Sequence, residues 1–109
     1  MPAMFVYVTT ADIAEARRIG RALVERRLAA CANAIDGMHS VYWWDGAVQE
    51  ATEAVLILKT EQDRLAELIA EIKARHSYDC PCIEALEVAD GNPDFLAWIT
   101  QETRVREAG

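Results

Sequence analysis

The chain has 109 residues, 52% of them hydrophobic, and a formal net charge of −7 from 11 Lys and Arg against 18 Asp and Glu. That length suits one core, so a single domain over residues 1–109 is expected, without room for separate catalytic and binding lobes. No apolar run approaches the ~20 residues that cross a bilayer, and the acidic balance repels phosphate backbones and anionic lipid, so neither a membrane nor a nucleic acid is an expected partner.

The start "MPAMFVYVTT" lacks a basic segment followed by a long apolar stretch and a small-residue cleavage site, so no secretion signal is read and a cytoplasmic location is expected. Within it, Met4 to Thr9 is a continuous β-branched and aromatic run, short enough for a strand buried on both faces. Asp12 with Glu15 three residues later has the pattern of a capping box, and Ala16, Ile19, Gly20, Leu23 and Val24 then form an apolar stripe at helical spacing. From Ala29 the period changes, and "AACANAIDGMHSVYWWDG" reads as a long strand broken at Asp36-Gly37 by a bulge or bend. Asp45-Gly46 predicts a tight hairpin turn, because a primed turn needs positive φ at its central residues. The returning strand, "AVQEATEAVLILKT", puts Ala51, Glu53, Val55, Ile57 and Lys59 on one face and Thr52, Ala54, Leu56 and Leu58 on the other.

Thr60 and Asp63 predict the cap of a second helix with Leu65, Leu68, Ile69 and Ile72 on its buried stripe. His76 falls nearly three whole turns after Leu65, so it belongs to the same inward face. A strand over Cys82 to Val88 follows, and Asn92 with Pro93 predicts the start of a last helix burying Phe95, Leu96 and Ile99. The order β-α-β-β-α-β plus a terminal helix is the split βαβ arrangement of an α+β, ferredoxin-like fold. Hairpin arms more than twice the usual strand length of ~5–6 residues carry Tyr42, Trp43 and Trp44 near their tip. Such a projection exposes edges and aromatics unless an identical neighbour covers it, which predicts a homo-oligomer.

The segments "RLAACANAI", "SVYWWDGAVQE", "LILKT", the H-S-Y-x-x-P step and "DGNPDFLAWI" resemble, in order and spacing and over almost the whole chain, the CutA family of divalent-cation tolerance proteins. The resemblance implies a tight homotrimer in which long β2-β3 hairpins pair between subunits, an architecture similar to that of the PII signalling proteins. It also implies a role in copper tolerance and binding of Cu(II) or other divalent metal ions, with no cofactor required. The ligands proposed in bacterial members are a cysteine at the end of the first strand and a His-His pair closing the second helix. Here those positions hold Val8 and Arg75-His76, so only His76 matches. The family's His-Pro-Tyr is His76-Ser77-Tyr78, and the glutamate that often follows the next proline is Cys82.

Cys80-Pro81-Cys82 offers a replacement. On an extended segment, residues two apart point to the same side with Cα atoms about 6.5–7 Å apart, so two thiolates could share a soft cation such as Cu(I) or Zn(II), with His76 nearby. The other reading is that Cys80 and Cys82 are small buried hydrophobes and His76 a satisfied or interfacial residue at a helix C-terminus. Three cysteines in a reducing compartment imply thiols and no disulfide framework, and Cys31 is expected against the first helix. His39 is expected at the surface. Tyr42, Trp43 and Trp44 are expected in the trimer interface rather than as a stacking platform. Glu84, Glu87 and Asp90 are read as a solvated face or as partners of Arg104 or Arg106.

Other functions are poorly served by these residues. A copper chaperone of this fold would carry M-x-C-x-x-C after the first strand, where this chain has "VYVTTADI". A phosphate-cleaving enzyme would need a glycine-rich or arginine-bearing loop, and Thr9 to Asp12 offers acid instead. A thiol enzyme would need a base with an orienting group beside Cys80 or Cys82, so no enzymatic activity is expected. Two readings remain: a trimeric cation-binding protein of metal tolerance, or a PII-like module that binds a small ligand or protein partner.

Overall fold

The apolar run at the start of the chain forms the strand β1 (Ala3–Thr10), whose residues alternate between two covered faces in the computed structural model, which describes residues 2–104. The chain continues through α1 (Ile13–Glu25), β2 (Cys31–Trp44), β3 (Ala47–Glu61), α2 (Leu65–Arg75), β4 (Ile83–Glu87) and α3 (Pro93–Glu102). The four strands make one sheet in the order β2-β3-β1-β4, with every neighbouring pair antiparallel. This is the expected α+β arrangement, with β2 and β4 as its edges.

The two crossover helices cover one face. Val6 and Val8 of β1 and Ala54, Leu56 and Leu58 of β3 pack there against Ala16, Ile19 and Leu23 of α1 and Leu68 and Ile72 of α2. Val24, Leu65 and Ile69 flank this core and are partly buried. Gly20 is required where α1 crosses the sheet, because a Cβ there would lie 3.0 Å from both the Ala32 Cβ and the Leu56 Cδ1. α3 closes one end of the opposite face, where Ala3, Ala30 and Ile99 are buried together. Asn92 caps α3 by accepting from the Asp94 N–H at 3.1 Å, with Pro93 at the first helical position as expected.

Both predicted breaks in the hairpin are present. The β2-β3 register shifts between Ile35 and Met38, around Gly37 at φ 76°, and the turn places Asp45 and Gly46 at φ 53° and 75°. Positive φ at both turn positions gives the ribbon the twist of its strands.

Three expectations need correction. Thr60 does not cap α2: β3 runs on to Glu61, a 3-10 turn follows over Gln62–Arg64, and the buried Thr60 hydroxyl donates to the Leu28 carbonyl at 2.7 Å. A strand residue facing the core outcompeted the cap, since its hydroxyl found a buried carbonyl to satisfy. Cys31 does not pack on α1. Strand alternation gives that place to Ala32, while the Cys31 thiol turns toward Asn33, which also accepts from Lys59 Nζ at 2.9 Å. Phe95 is exposed rather than core, stacked at 5.5 Å on Trp98 with Lys59 Nζ 5.8 Å above its ring. Glu84, Glu87 and Asp90 are exposed, as the solvated-face reading expects, and among the described residues they form no ion pair with Arg104; Arg106 lies outside them.

Candidate functional site

The segment after α2 crosses the end of β1 and is fastened there by three side chains. His76, just past the last turn of α2, accepts the Tyr78 N–H at Nδ1 (3.0 Å). Its Nε2 therefore carries the proton and donates to the Thr9 carbonyl at 2.7 Å. Glu15, only 4% exposed, accepts the Ala11 N–H at 3.0 Å with one oxygen and the Ser77 N–H at 2.9 Å with the other. Asp12 accepts the Glu15 N–H at 2.8 Å, so the capping pair is real, although Glu15 reaches back to Ala11 rather than to Asp12. Burial pushes the Glu15 carboxyl up, but hydrogen bonds from Ala11 and Ser77 and the nearby His76 outweigh it and hold the group below its ordinary value.

The third fastening is Tyr78, whose hydroxyl donates to Glu53 Oε2 at 2.7 Å. Burial pushes the Tyr78 phenol up, and the bond to Glu53 pushes it further, so it remains a neutral donor. Glu53 stands on the face of β3 that includes Val55, and it is only 8% exposed. The ring of His76 leans on that of Tyr78 with centroids 4.9 Å apart.

Together these residues enclose a cleft of about 600 Å³ between the hairpin and the fastened segment. Glu53 and Tyr78 line its floor, and Ser40, Tyr42 and Trp44 line the hairpin side. Thr9, Ser77, Asp79, Cys80 and Cys82 complete the wall, and among the described residues no Lys, Arg or His lines it. Cys80 is exposed and Cys82 half-buried. The Cys82 thiol donates to Glu84 Oε1 at 3.4 Å, and burial followed by that bond pushes it up, so Cys82 is held as a thiol.

The expected site residues thus separate. Cys80 and Cys82 share the cleft wall. His76 supports the cleft from behind with both ring nitrogens engaged, so a metal would reach it only by displacing the Tyr78 N–H or the Thr9 carbonyl. Among the described residues no three His, Cys, Asp or Glu side chains converge as a ready metal centre. The hairpin aromatics also divide: Tyr42 and Trp44 turn toward the cleft, whereas Trp43 pairs across the ribbon with Val48 on the other face. Val41, Trp43 and Val48 are 65%, 75% and 54% exposed there. Sequence reading missed Glu53 as a site residue. The signal available was a carboxylate in register with the apolar positions Val55 and Ile57 on a long strand.

Comparison with known proteins agrees with this architecture. Residues 4–102 match the family described as CutA1 divalent ion tolerance protein. The divalent-cation tolerance protein CutA of Archaeoglobus fulgidus is 43% identical over 97 residues, covering 89% of this chain and 94% of that protein. The chloroplastic CutA 1 of rice is 39% identical over 104 residues, 95% of this chain and 59% of the longer relative. The crystal structure of CutA1 from rice superposes with a TM-score of 0.92 at 39% identity, covering 95% of each chain. Fold, strand order and sequence agree over nearly the whole length, and the chain belongs to the CutA1 family of divalent ion tolerance proteins.

Proposed function

We propose that this protein is a homotrimeric, cytoplasmic cation-tolerance protein that takes up copper or a related divalent ion in the cleft beside β1, and that it is not an enzyme. The observation that carries the reading is the chemistry of that cleft: among the described residues, two carboxylates and two thiols line it without a basic side chain. Such a lining favours cations and disfavours an anionic small ligand of the kind a PII-like module could take. The exposed face formed by Val41, Trp43 and Val48 supports self-association, since a neighbouring subunit would remove it from water.

Cys80 and Cys82 are the soft donors in this reading, and copper binding would release the Cys82 proton that Glu84 now accepts. His76 joins them only by giving up a hydrogen bond, so the thiols bind first. Donors from a second subunit would complete the coordination. Native mass spectrometry of the protein with and without Cu(II) tests both parts. A trimer that takes up copper in proportion to its subunits, and loses it in Cys80→Ser/Cys82→Ser, is expected. A monomer, or copper uptake indifferent to those two residues and to His76→Ala, would overturn the corresponding part.

A further inference from the structure

We propose that the same cleft holds an organic ammonium ion, with the charged nitrogen against Glu53 and its substituents against Trp44, Tyr42 and Tyr78. This inference uses the cleft's cation preference but requires neither the trimer nor copper. Three features of the lining lead to it. The floor is a carboxylate buried to more than nine-tenths and aimed by the Tyr78 hydroxyl, so its charge is fixed in place and poorly screened by water. Three aromatic side chains line the same cleft, Tyr78 in contact with Glu53, and Tyr42 and Trp44 further along the hairpin toward its turn. Aromatic faces attract weakly hydrated cations, and they do so best where water is displaced.

The alternatives are less well served. A small, strongly hydrated metal ion seeks several oxygen, nitrogen or sulfur donors, and no three converge among the described residues. An anion meets Glu53 and Asp79 with no basic residue in the lining among the described residues. A volume of about 600 Å³ admits a ligand much larger than a bare ion, within the usual range for small-molecule sites. Asp79, at the rim, adds longer-range attraction.

The test is titration of the full chain with tetramethylammonium and choline chloride, against sodium chloride and sodium phosphate at matched ionic strength, read by calorimetry and by tryptophan fluorescence. Saturable binding of the ammonium ions near ~1 mM or tighter, with none for sodium or phosphate, is expected. Glu53→Gln and Trp44→Leu should each weaken it by about tenfold, and Asp79→Asn by about twofold to threefold. Circular-dichroism melting identifies a variant that fails to fold, and if Glu53→Gln does so, Trp44→Leu and Asp79→Asn decide. Trp43→Ala, on the far face of the ribbon, should leave ammonium affinity unchanged. Absence of saturation, or wild-type affinity in both the Glu53 and the Trp44 variant, would overturn the proposal. Copper uptake without ammonium binding would sink this inference and leave the metal reading standing. Ammonium binding without copper uptake would do the reverse.

Discussion

Glu15 shows how one side chain comes to serve two levels of structure. From the sequence it is a helix-capping residue, and it does sit in the first turn of α1, but its two oxygens tie Ala11 and Ser77 together across distant segments. Glu15→Gln keeps the shape and loses charge-assisted acceptors, so it should lower stability near neutral pH by about 1–3 kcal/mol in denaturant unfolding. The pH dependence has a definite sign. The folded group lies below its ordinary value of 4.5, so its contribution is complete above that value and disappears as pH falls through the folded one. The gap between wild type and Glu15→Gln should therefore shrink on acidification from about pH 5 to pH 3. A constant gap over that range would show that Glu15 is not the titrating group. Thr60 makes the complementary point: a hydroxyl expected at a cap is buried in a strand. Thr60→Val would strand the Leu28 carbonyl and should cost about 1–3 kcal/mol, measurable as a lower melting temperature.

At the scale of elements, α1 lies close to the sheet because Gly20 has no side chain. Gly20→Ala gains up to about 1 kcal/mol of helix propensity. Against this, its methyl meets the Ala32 Cβ, which is fixed to the strand backbone and cannot rotate away. The overpacking costs about 1–3 kcal/mol and should outweigh that gain, so a net loss is expected, and a variant that melts higher than wild type would show that α1 shifts freely. Gly46→Ala is a cleaner backbone test, since nothing surrounds a Cβ there and only the φ of 75° is at stake. A loss of about 1 kcal/mol is expected from the left-handed conformation alone. Just past the Arg26 cap of α1, Arg27 takes φ 60°, where a glycine is usual. Its guanidinium instead binds the Glu102 carboxylate at 2.8 Å and the Glu102 carbonyl at 3.2 Å, docking α3 to the end of α1. No helix among the described residues is long and apolar enough to cross a membrane.

At the scale of the whole molecule, the hairpin dominates the shape. The extents are 51 × 31 × 21 Å and the radius of gyration is 14.8 Å, against about 13 Å for a compact domain of this length. The ribbon that causes this elongation has two unlike faces, one closing the cleft with Tyr42 and Trp44 and one presenting Val41, Trp43 and Val48. Trp43→Ala should reduce the mass of the particle seen by light scattering, or lower its melting point, because an assembly's stability includes its interface. Trp44→Ala should act mainly on cleft ligands. If Trp44→Ala dissociates the particle and Trp43→Ala does not, the two faces have been assigned the wrong way round.

The sequence by itself determined the order of elements, the hairpin turn at Asp45-Gly46, the break at Gly37 and the caps at Asp12 and Asn92. These depend on local periodicity and on backbone conformations that few residues adopt. It also placed Cys80 and Cys82 side by side, because two residues are enough to see that. Only the tertiary structure decided that Tyr78 reaches Glu53 and that Glu15 holds Ser77. The same holds for His76, both of whose nitrogens are spent on Thr9 and Tyr78. Apart from the His76–Tyr78 bond, those contacts join residues far apart in the chain. A polar side chain that is buried takes whichever partner the fold brings within about 3 Å, and no spacing along the sequence records that choice.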